Sequence, residues 1–276
     1  MPNQEPLVSV ILPTFNRAEI LKKSINSVLS QTYKNFELII IDDSSTDETE
    51  RTILEYQKKD SRIKIIRNEK NIGFVKSLNK AIKQSQGKYI ARLDDDDFWS
   101  SSQKLEKQIG FLENNPDYVL ISAGIIYINK YGEEVKRYLP PENDKDIRKL
   151  MLITSPLVHI ASVFTKKSWE TVHGYDEEFY FSQDWDLWAK LGSVGKMYNI
   201  QEYLTYSLAS NQNRSNKKMS YHLWLNLKIR MKYRKNYPYF WQGYIMGLVA
   251  YGLSFLPFYN KIAPILSKLR KHIIKF

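Results

Sequence analysis

The chain has 276 residues, 43% of them hydrophobic and 26% charged, which suits one large α/β domain with an appendage. It contains no cysteine, so disulfides and thiolate metal centres are excluded. The net charge of +11 is uneven: residues 214–276 hold 13 Lys and Arg and no acid, leaving 28 bases and all 30 acids in the first 213.

Residues 7–12 are the first predicted strand, an apolar run that ends at Pro13-Thr14-Phe15-Asn16-Arg17. The N-terminus enters it without the basic and apolar regions of a secretory signal, so a cytoplasmic location is expected. A helix follows, with Leu21, Ile25, Val28 and Leu29 at helical spacing. Residues 36–41 are rich in Ile, as befits a strand covered on both faces of a parallel sheet. They end in Asp42-Asp43, and Ser and Thr then start a helix from Thr46 to about Lys58. Either Asp42 or Asp43 could cap that helix.

Residues 87–93 read as a turn running into a third strand, which ends in Asp94, Asp95, Asp96 and Asp97. Four carboxylates side by side repel one another unless a cation sits among them. A hard divalent ion such as Mg²⁺ or Mn²⁺, holding a diphosphate, meets that need; a solvated acidic turn is the plain alternative. An EF-hand loop is disfavoured because its sixth-position Gly is missing. Three strands thus deliver polar residues at their carboxyl ends, the edge where open α/β sheets bind ligands. No G-x-G-x-x-G or Walker pattern occurs, and Pro13–Arg17 lacks the Gly of a nucleotidylyltransferase loop.

The tail differs in character. Residues 237–260 carry no charge and lie between basic clusters. Their length could just span a bilayer, yet Gln242, Asn260, several Tyr and Pro257 suit an in-plane helix or hairpin on an anionic lipid surface better. A structural helical cap is the alternative. Nucleic acid is not expected as a partner, because a long uncharged stretch does not follow phosphates.

The ordered motifs resemble those of family 2 glycosyltransferases with the GT-A fold. The resemblance runs from about residue 7 to 210. It rests on the run from Val8 to Arg17, Ser30-Gln31-Thr32-Tyr33, the run from Asp42 to Asp47, Asn71-Ile72-Gly73 and Asn79-Lys80-Ala81. It continues with the Asp run, Gly174-Tyr175-Asp176-Glu177, and Gln183-Asp184-Trp185-Asp186-Leu187-Trp188. It implies a Rossmann-like, mainly parallel sheet flanked by helices. The catalytic domain would cover 1–213, with a nucleotide-sugar half to about 97 and an acceptor half from 98, followed by a basic helical tail over 214–276.

By the same resemblance, Pro13, Phe15 and Arg17 stand at the mouth of a nucleotide pocket, with Arg17 reaching the diphosphate. Asp43 accepts from the base. Asp94-Asp95-Asp96 takes the DxD position, with Asp94 and Asp95 on the nucleotide side and Asp96 on Mn²⁺ or Mg²⁺. Asp184 is the implied catalytic base, with Asp186 the competing acid of the pair. His159 falls near the acceptor side, although a lone His is commonly structural. Two departures stand out: Gln183 replaces a frequent Glu, and the His often found after the strand near Tyr206 is missing. The Gln-x-x-Arg-Trp signature of processive synthases is also absent.

The implied activity is inverting transfer of a sugar from a nucleotide diphosphate donor, UDP-sugar favoured, to a hydroxyl of a glycan or lipid-linked acceptor in cell-surface polysaccharide synthesis. The tail would then rest on the inner face of the plasma membrane. A catalytically silent, donor-binding scaffold of a membrane assembly complex is the alternative, and self-association is left open.

Overall fold

A computed structural model describes residues 5–209, 219–256 and 259. Strands β1 (Val8–Thr14), β2 (Phe36–Asp42), β3 (Ile63–Arg67) and β4 (Tyr89–Arg92) run parallel in the order β3-β2-β1-β4. Helices α1 (Ala18–Leu29), α2 (Thr49–Lys59) and α3 (Phe74–Gln84) form the crossovers. Every residue of β1, β2 and β4 is buried, which is why these segments read as continuous apolar runs rather than alternating ones. Alternate residues still serve opposite layers. Val10, Leu12, Leu38 and Ile40 pack with Leu21, Ile25 and Val28 of α1, whereas Ile11, Ile39 and Ile41 pack with Val75 and Leu78 of α3.

Beyond β4 the sheet becomes mixed. Its order continues β8 (Val163–Thr165), β6 (Tyr118–Ile128), β9 (Lys196–Leu208) and β5 (Asp97–Trp99), and β7 (Glu134–Tyr138) pairs with β6. The sheet has nine strands among the described residues. Helices α4 (Lys104–Asn114), α5 (Asp144–Leu150), α6 (Lys166–Thr171) and α7 (Gln183–Leu191) cover this half, with a 3₁₀ turn at His159–Ala161.

The third expected strand occupies Tyr89–Arg92, but the acidic run does not all trail beyond it. Asp97 opens β5, pairing with Ser207 of β9. Helix α1 fixes this turn from below: Ser24 Oγ donates to the carbonyls of Asp97 (2.6 Å) and Asp95 (3.0 Å). Ser27 Oγ accepts from Trp99 N at 3.1 Å.

Two further helices follow, α8 (Met219–Lys232) and α9 (Phe240–Leu253). Leu225, Ile229, Tyr233 and Tyr237 belong to the same buried cluster as Trp185, Leu187 and Trp188 of α7. Arg230 is buried and donates to the carbonyls of Leu152 (2.9 Å) and Ile153 (3.1 Å). Helix α9 crosses so closely that a Cβ on Gly243 would lie 2.0 Å from the Leu152 carbonyl oxygen. The charge count separates this segment from the rest of the chain, but the packing of its described part joins them. Among the described residues no helix is long and apolar enough to cross a membrane.

Candidate active site

The loop after β1 is clamped to the loop after β2. Asn16 and Ser44 adopt left-handed backbone angles, φ 53° and 70°. Asn16 Oδ1 accepts from Thr46 N at 2.8 Å, and Ser45 Oγ accepts from Asn16 N at 2.9 Å. Arg17 N donates to Thr49 Oγ1 at 2.9 Å. Asp42 turns inward and accepts from Ser45 N at 2.9 Å. Neither Asp42 nor Asp43 caps α2. Asp47 accepts from Thr49 N (3.0 Å) and Thr49 Oγ1 (2.5 Å), so the helix begins at Thr49 rather than Thr46.

Asp43 instead organises the entry to α3. Its Oδ1 accepts from Asn68 Nδ2 (2.8 Å) and Ile72 N (2.9 Å), and its Oδ2 accepts from Gly73 N (2.9 Å). Gly73 has φ 91°, a backbone angle that side chains disfavour. Asp43 thereby forms the floor of a cavity of about 280 Å³. Pro13, Phe15, Arg17, Asp43 and Asp95, all expected on the nucleotide side, line it together. Thr14, Asn71, Gly73, Phe74, Ser77 and Tyr180 complete it. Phe15 and Tyr180 are 41% and 39% exposed, presenting two aromatic faces at the rim. The exposed Arg17 guanidinium makes no ion pair or hydrogen bond among the described residues, and its charge acts on Asp95.

Asp94, Asp96 and Asp184 lie outside that lining. Asp94 Oδ1 accepts from Arg92 Nη2 at 2.7 Å. Asp96 is half-buried, and its carboxylate makes no hydrogen bond or ion pair among the described residues. Burial first, then the charges of Asp96 and Asp94, push the Asp95 carboxyl up to about 7. Asp97 is raised well above the carboxylate range by burial and by Asp94 and Asp96, against a hydrogen bond with Ser207. Among the described residues no group of three or more His, Cys, Asp or Glu side chains comes together to hold a metal ion.

Asp184 sits in the first turn of α7 and is half-buried. Desolvation raises its carboxyl to about 6, opposed by the backbone N–H groups of Trp185 and Asp184 and reinforced by the charge of Asp94. The fold therefore brings Asp184 within electrostatic reach of the acidic turn. Asp186 is buried and committed elsewhere. It accepts from Lys232 Nζ (2.9 Å) and Tyr233 Oη (2.8 Å), and Lys190 Nζ lies 3.1 Å from its other oxygen. That ion-pair cluster fastens α8 to α7.

Beside Asp94 runs a small network that the sequence did not reveal. Fully buried Arg92 donates to the Ile11 carbonyl (2.5 Å), and its Nε lies 3.2 Å from His159 Nε2. Tyr175 Oη reaches the same nitrogen at 2.9 Å. Burial and the Arg92 charge hold His159 neutral, well below its ordinary range, and its Nε2 accepts from Arg92 Nε. The one available signal was a charged residue inside an apolar strand. Tyr180 carried no such mark.

A family model described as glycosyl transferase family 2 matches residues 9–172. The chain belongs to glycosyl transferase family 2. An uncharacterized glycosyltransferase of Methanocaldococcus jannaschii is 36% identical over 257 residues, covering 90% of this chain and 88% of that protein. Among solved structures, S. aureus TarS in complex with UDP-GlcNAc superposes with a TM-score of 0.67 at 19% identity, covering 88% of this chain and 71% of that one. The Pyrobaculum calidifontis mannosyltransferase PcManGT, in complex with GDP-Man and Mn²⁺, gives 0.64 at 15%, covering 96% and 75%. These two likenesses bear on the fold, which is that of GT-A glycosyltransferases, as the sequence predicts. This family 2 chain is thus a glycosyltransferase whose conspicuous acid cluster and pocket share one sheet edge.

Proposed function

We propose that the protein is an inverting, non-processive glycosyltransferase that uses a nucleotide diphosphate sugar, UDP-sugar for preference, and glycosylates one hydroxyl per encounter. The observation that carries this reading is Asp184: a half-buried carboxyl raised to about 6 by desolvation, on which the charge of Asp94 in the acidic turn also acts. A base poised just below neutrality is ionised at cellular pH yet basic enough to take a proton. The acceptor oxygen bonds to the anomeric carbon as the bond from that carbon to the diphosphate breaks. Asp184 takes the hydroxyl proton, and the bonding electrons leave on the diphosphate.

The other residues bind and orient. Phe15 and Tyr180 flank the base, Asp43 accepts one of its N–H groups, and Asp94 and Asp95 face the nucleotide. Arg17, unpaired among the described residues, is available to the diphosphate. Asp96 has no partner among the described residues, and Asp95 is raised first by burial and then by the charges of Asp96 and Asp94, so the turn carries negative charge without a cation beside Asp96 among the described residues. That donor set fits a hard cation held by one or two carboxylates together with substrate phosphates and water. Asp96 would hold Mn²⁺ or Mg²⁺, which when bound would supply positive charge against the diphosphate.

The acceptor is proposed to be a glycan or lipid-linked glycan in cell-surface polysaccharide synthesis, presented at the inner face of the membrane. Helix α9 supports this: Trp241 is 68% exposed, and Ile245, Leu248 and Val249 continue an exposed apolar face. At 14 residues it is about 21 Å long, suited to lying on a bilayer rather than crossing one. A panel of nucleotide sugars assayed for nucleoside diphosphate release, with Mn²⁺ and with excess EDTA, tests the reading. Release from UDP-sugars that EDTA abolishes is expected; no release from any donor would refute it.

A further inference from the structure

We infer that Asn226 of α8 is a positioning residue for Asp184: it holds the Ser182 hydroxyl away from the first turn of α7, which leaves backbone N–H groups there to the Asp184 carboxylate. The inference rests on the reading of Asp184 as the base. Ser182 stands at the N-terminal boundary of α7, where a serine ordinarily turns its oxygen onto the N–H of the second or third helical residue. Those residues are Asp184 and Trp185. Ser182 caps neither. Its side chain makes no capping hydrogen bond, and its backbone, at φ −140° and ψ 29°, is outside the extended range that capping uses.

Ser182 Oγ donates instead to Asn226 Oδ1 at 2.6 Å, across to α8. Both partners are held in place. Ser182 is buried. The Asn226 carbonyl accepts from Arg230 Nη1 at 3.0 Å, while Arg230 Nε and Nη2 donate to the carbonyls of Leu152 and Ile153. Around the pair, α8 lies along the 176–186 segment. Phe181 packs edge-on against Tyr221 at 6.0 Å, Lys228 pairs with Glu178, and Lys232 pairs with Asp176 and Asp186.

The N–H groups of Asp184 and Trp185, left uncapped by Ser182, are the ones that hydrogen-bond the Asp184 carboxylate and favour its charged form. Without the Asn226 acceptor the buried Ser182 hydroxyl loses its partner, which is costly, and the same N–H groups are its ordinary capping partners. Ser182 then competes with the carboxylate for them. The other groups that act on Asp184 stay as they are: Asp94 raises it, and Tyr175 feels its charge. The titratable groups that α8 presents to this segment also stay: Tyr221 and His222 on Phe181, Lys228, Lys232 and Tyr233.

The test is a carbon-13 NMR titration of the Asp184 carboxyl in the full chain, assigned by its absence from Asp184→Asn, beside the pH profile of kcat for UDP release from a UDP-sugar with Mn²⁺. The native carboxyl is expected to titrate at about 6. Asn226→Ala should raise both the titration and the acidic limb of kcat by about one pH unit, lowering kcat about tenfold below that limb with donor affinity unchanged. Adding Ser182→Ala removes the competing hydroxyl and should return both to about 6. An asparagine needed only for stability would gain nothing from that second change. An unmoved titration in Asn226→Ala, or a double variant as shifted as the single one, overturns the inference. If Asn226→Ala fails to fold, Ser182→Ala alone decides: a titration near 6 is expected, and a raised one overturns the inference. A titration that moves while the kcat limb stays in place supports the withheld cap and removes only the reading of Asp184 as base.

Discussion

Asp184→Asn should separate the chemistry of this site from its stability. Burial holds the native carboxyl at about 6 against an ordinary 3.8, a displacement that corresponds to roughly 3 kcal/mol against the ionised form. Residual solvent screening of a half-buried group makes that figure an upper bound. The folded protein takes up this proton at a higher pH than the unfolded chain does. Stability from this group is therefore greatest below about pH 4, declines as pH rises to about 6, and stays reduced above that. Asparagine carries no charge, so the variant should be more stable than the native protein at about pH 7.5, by up to roughly 3 kcal/mol, and no more stable at about pH 4.

Turnover should move the opposite way. The native kcat is expected to fall about tenfold per pH unit below an acidic limb near 6. The variant should lose a factor on the order of 10² to 10⁴ in kcat while keeping donor affinity. Thermal melts at the two pH values and a pH profile of kcat at saturating donor measure both. A profile flat between about pH 5 and 7.5, or an Asp184→Asn variant with native turnover, would refute the reasoning.

Three further outcomes are expected. Asp96→Ala should abolish transfer and the effect of Mn²⁺ on donor affinity with an unchanged melting temperature; an active variant contradicts its role. Asp186→Ala should destabilise by roughly 1–3 kcal/mol, since it leaves buried Tyr233 Oη without its acceptor and removes one partner each from Lys232 and Lys190, and denaturant melts should show this before any specific loss of kcat. Trp241→Ser combined with Ile245→Ser should weaken flotation with anionic vesicles while sparing transfer to a soluble acceptor; equal flotation of both proteins rules out α9 as the lipid contact.

Much of the N-terminal half of the sheet was legible because its strands are buried on both faces. A run such as Val8-Ser9-Val10-Ile11-Leu12 has few other structures open to it, and the acids at the ends of β2 and β4 stand out against it. Local competition was harder to read. Thr46 looked like a helix start, but Asp47 accepts from Thr49 N and Oγ1, and the helix opens at Thr49. Long-range partners were harder still. The bases of α8 look like a free cationic surface by composition. Yet Lys228 pairs with Glu178, Lys232 pairs with Asp176 and Asp186, and Arg230 caps two carbonyls of the 152–153 turn. These contacts join residues about 50 to 80 positions apart, beyond any periodicity or charge count. The same holds for Arg92, His159 and Tyr175, whose meeting depends on β4 and β8 being neighbours in the sheet.

The central claim is single-displacement sugar transfer with Asp184 as base. Its most direct test is proton NMR of the anomeric signal during turnover of an α-linked UDP-sugar with Mn²⁺, using water or a simple alcohol as acceptor. The β anomer should appear first, and Asp184→Asn should suppress it. An α-configured initial product, or equal turnover by the two proteins, would contradict the account.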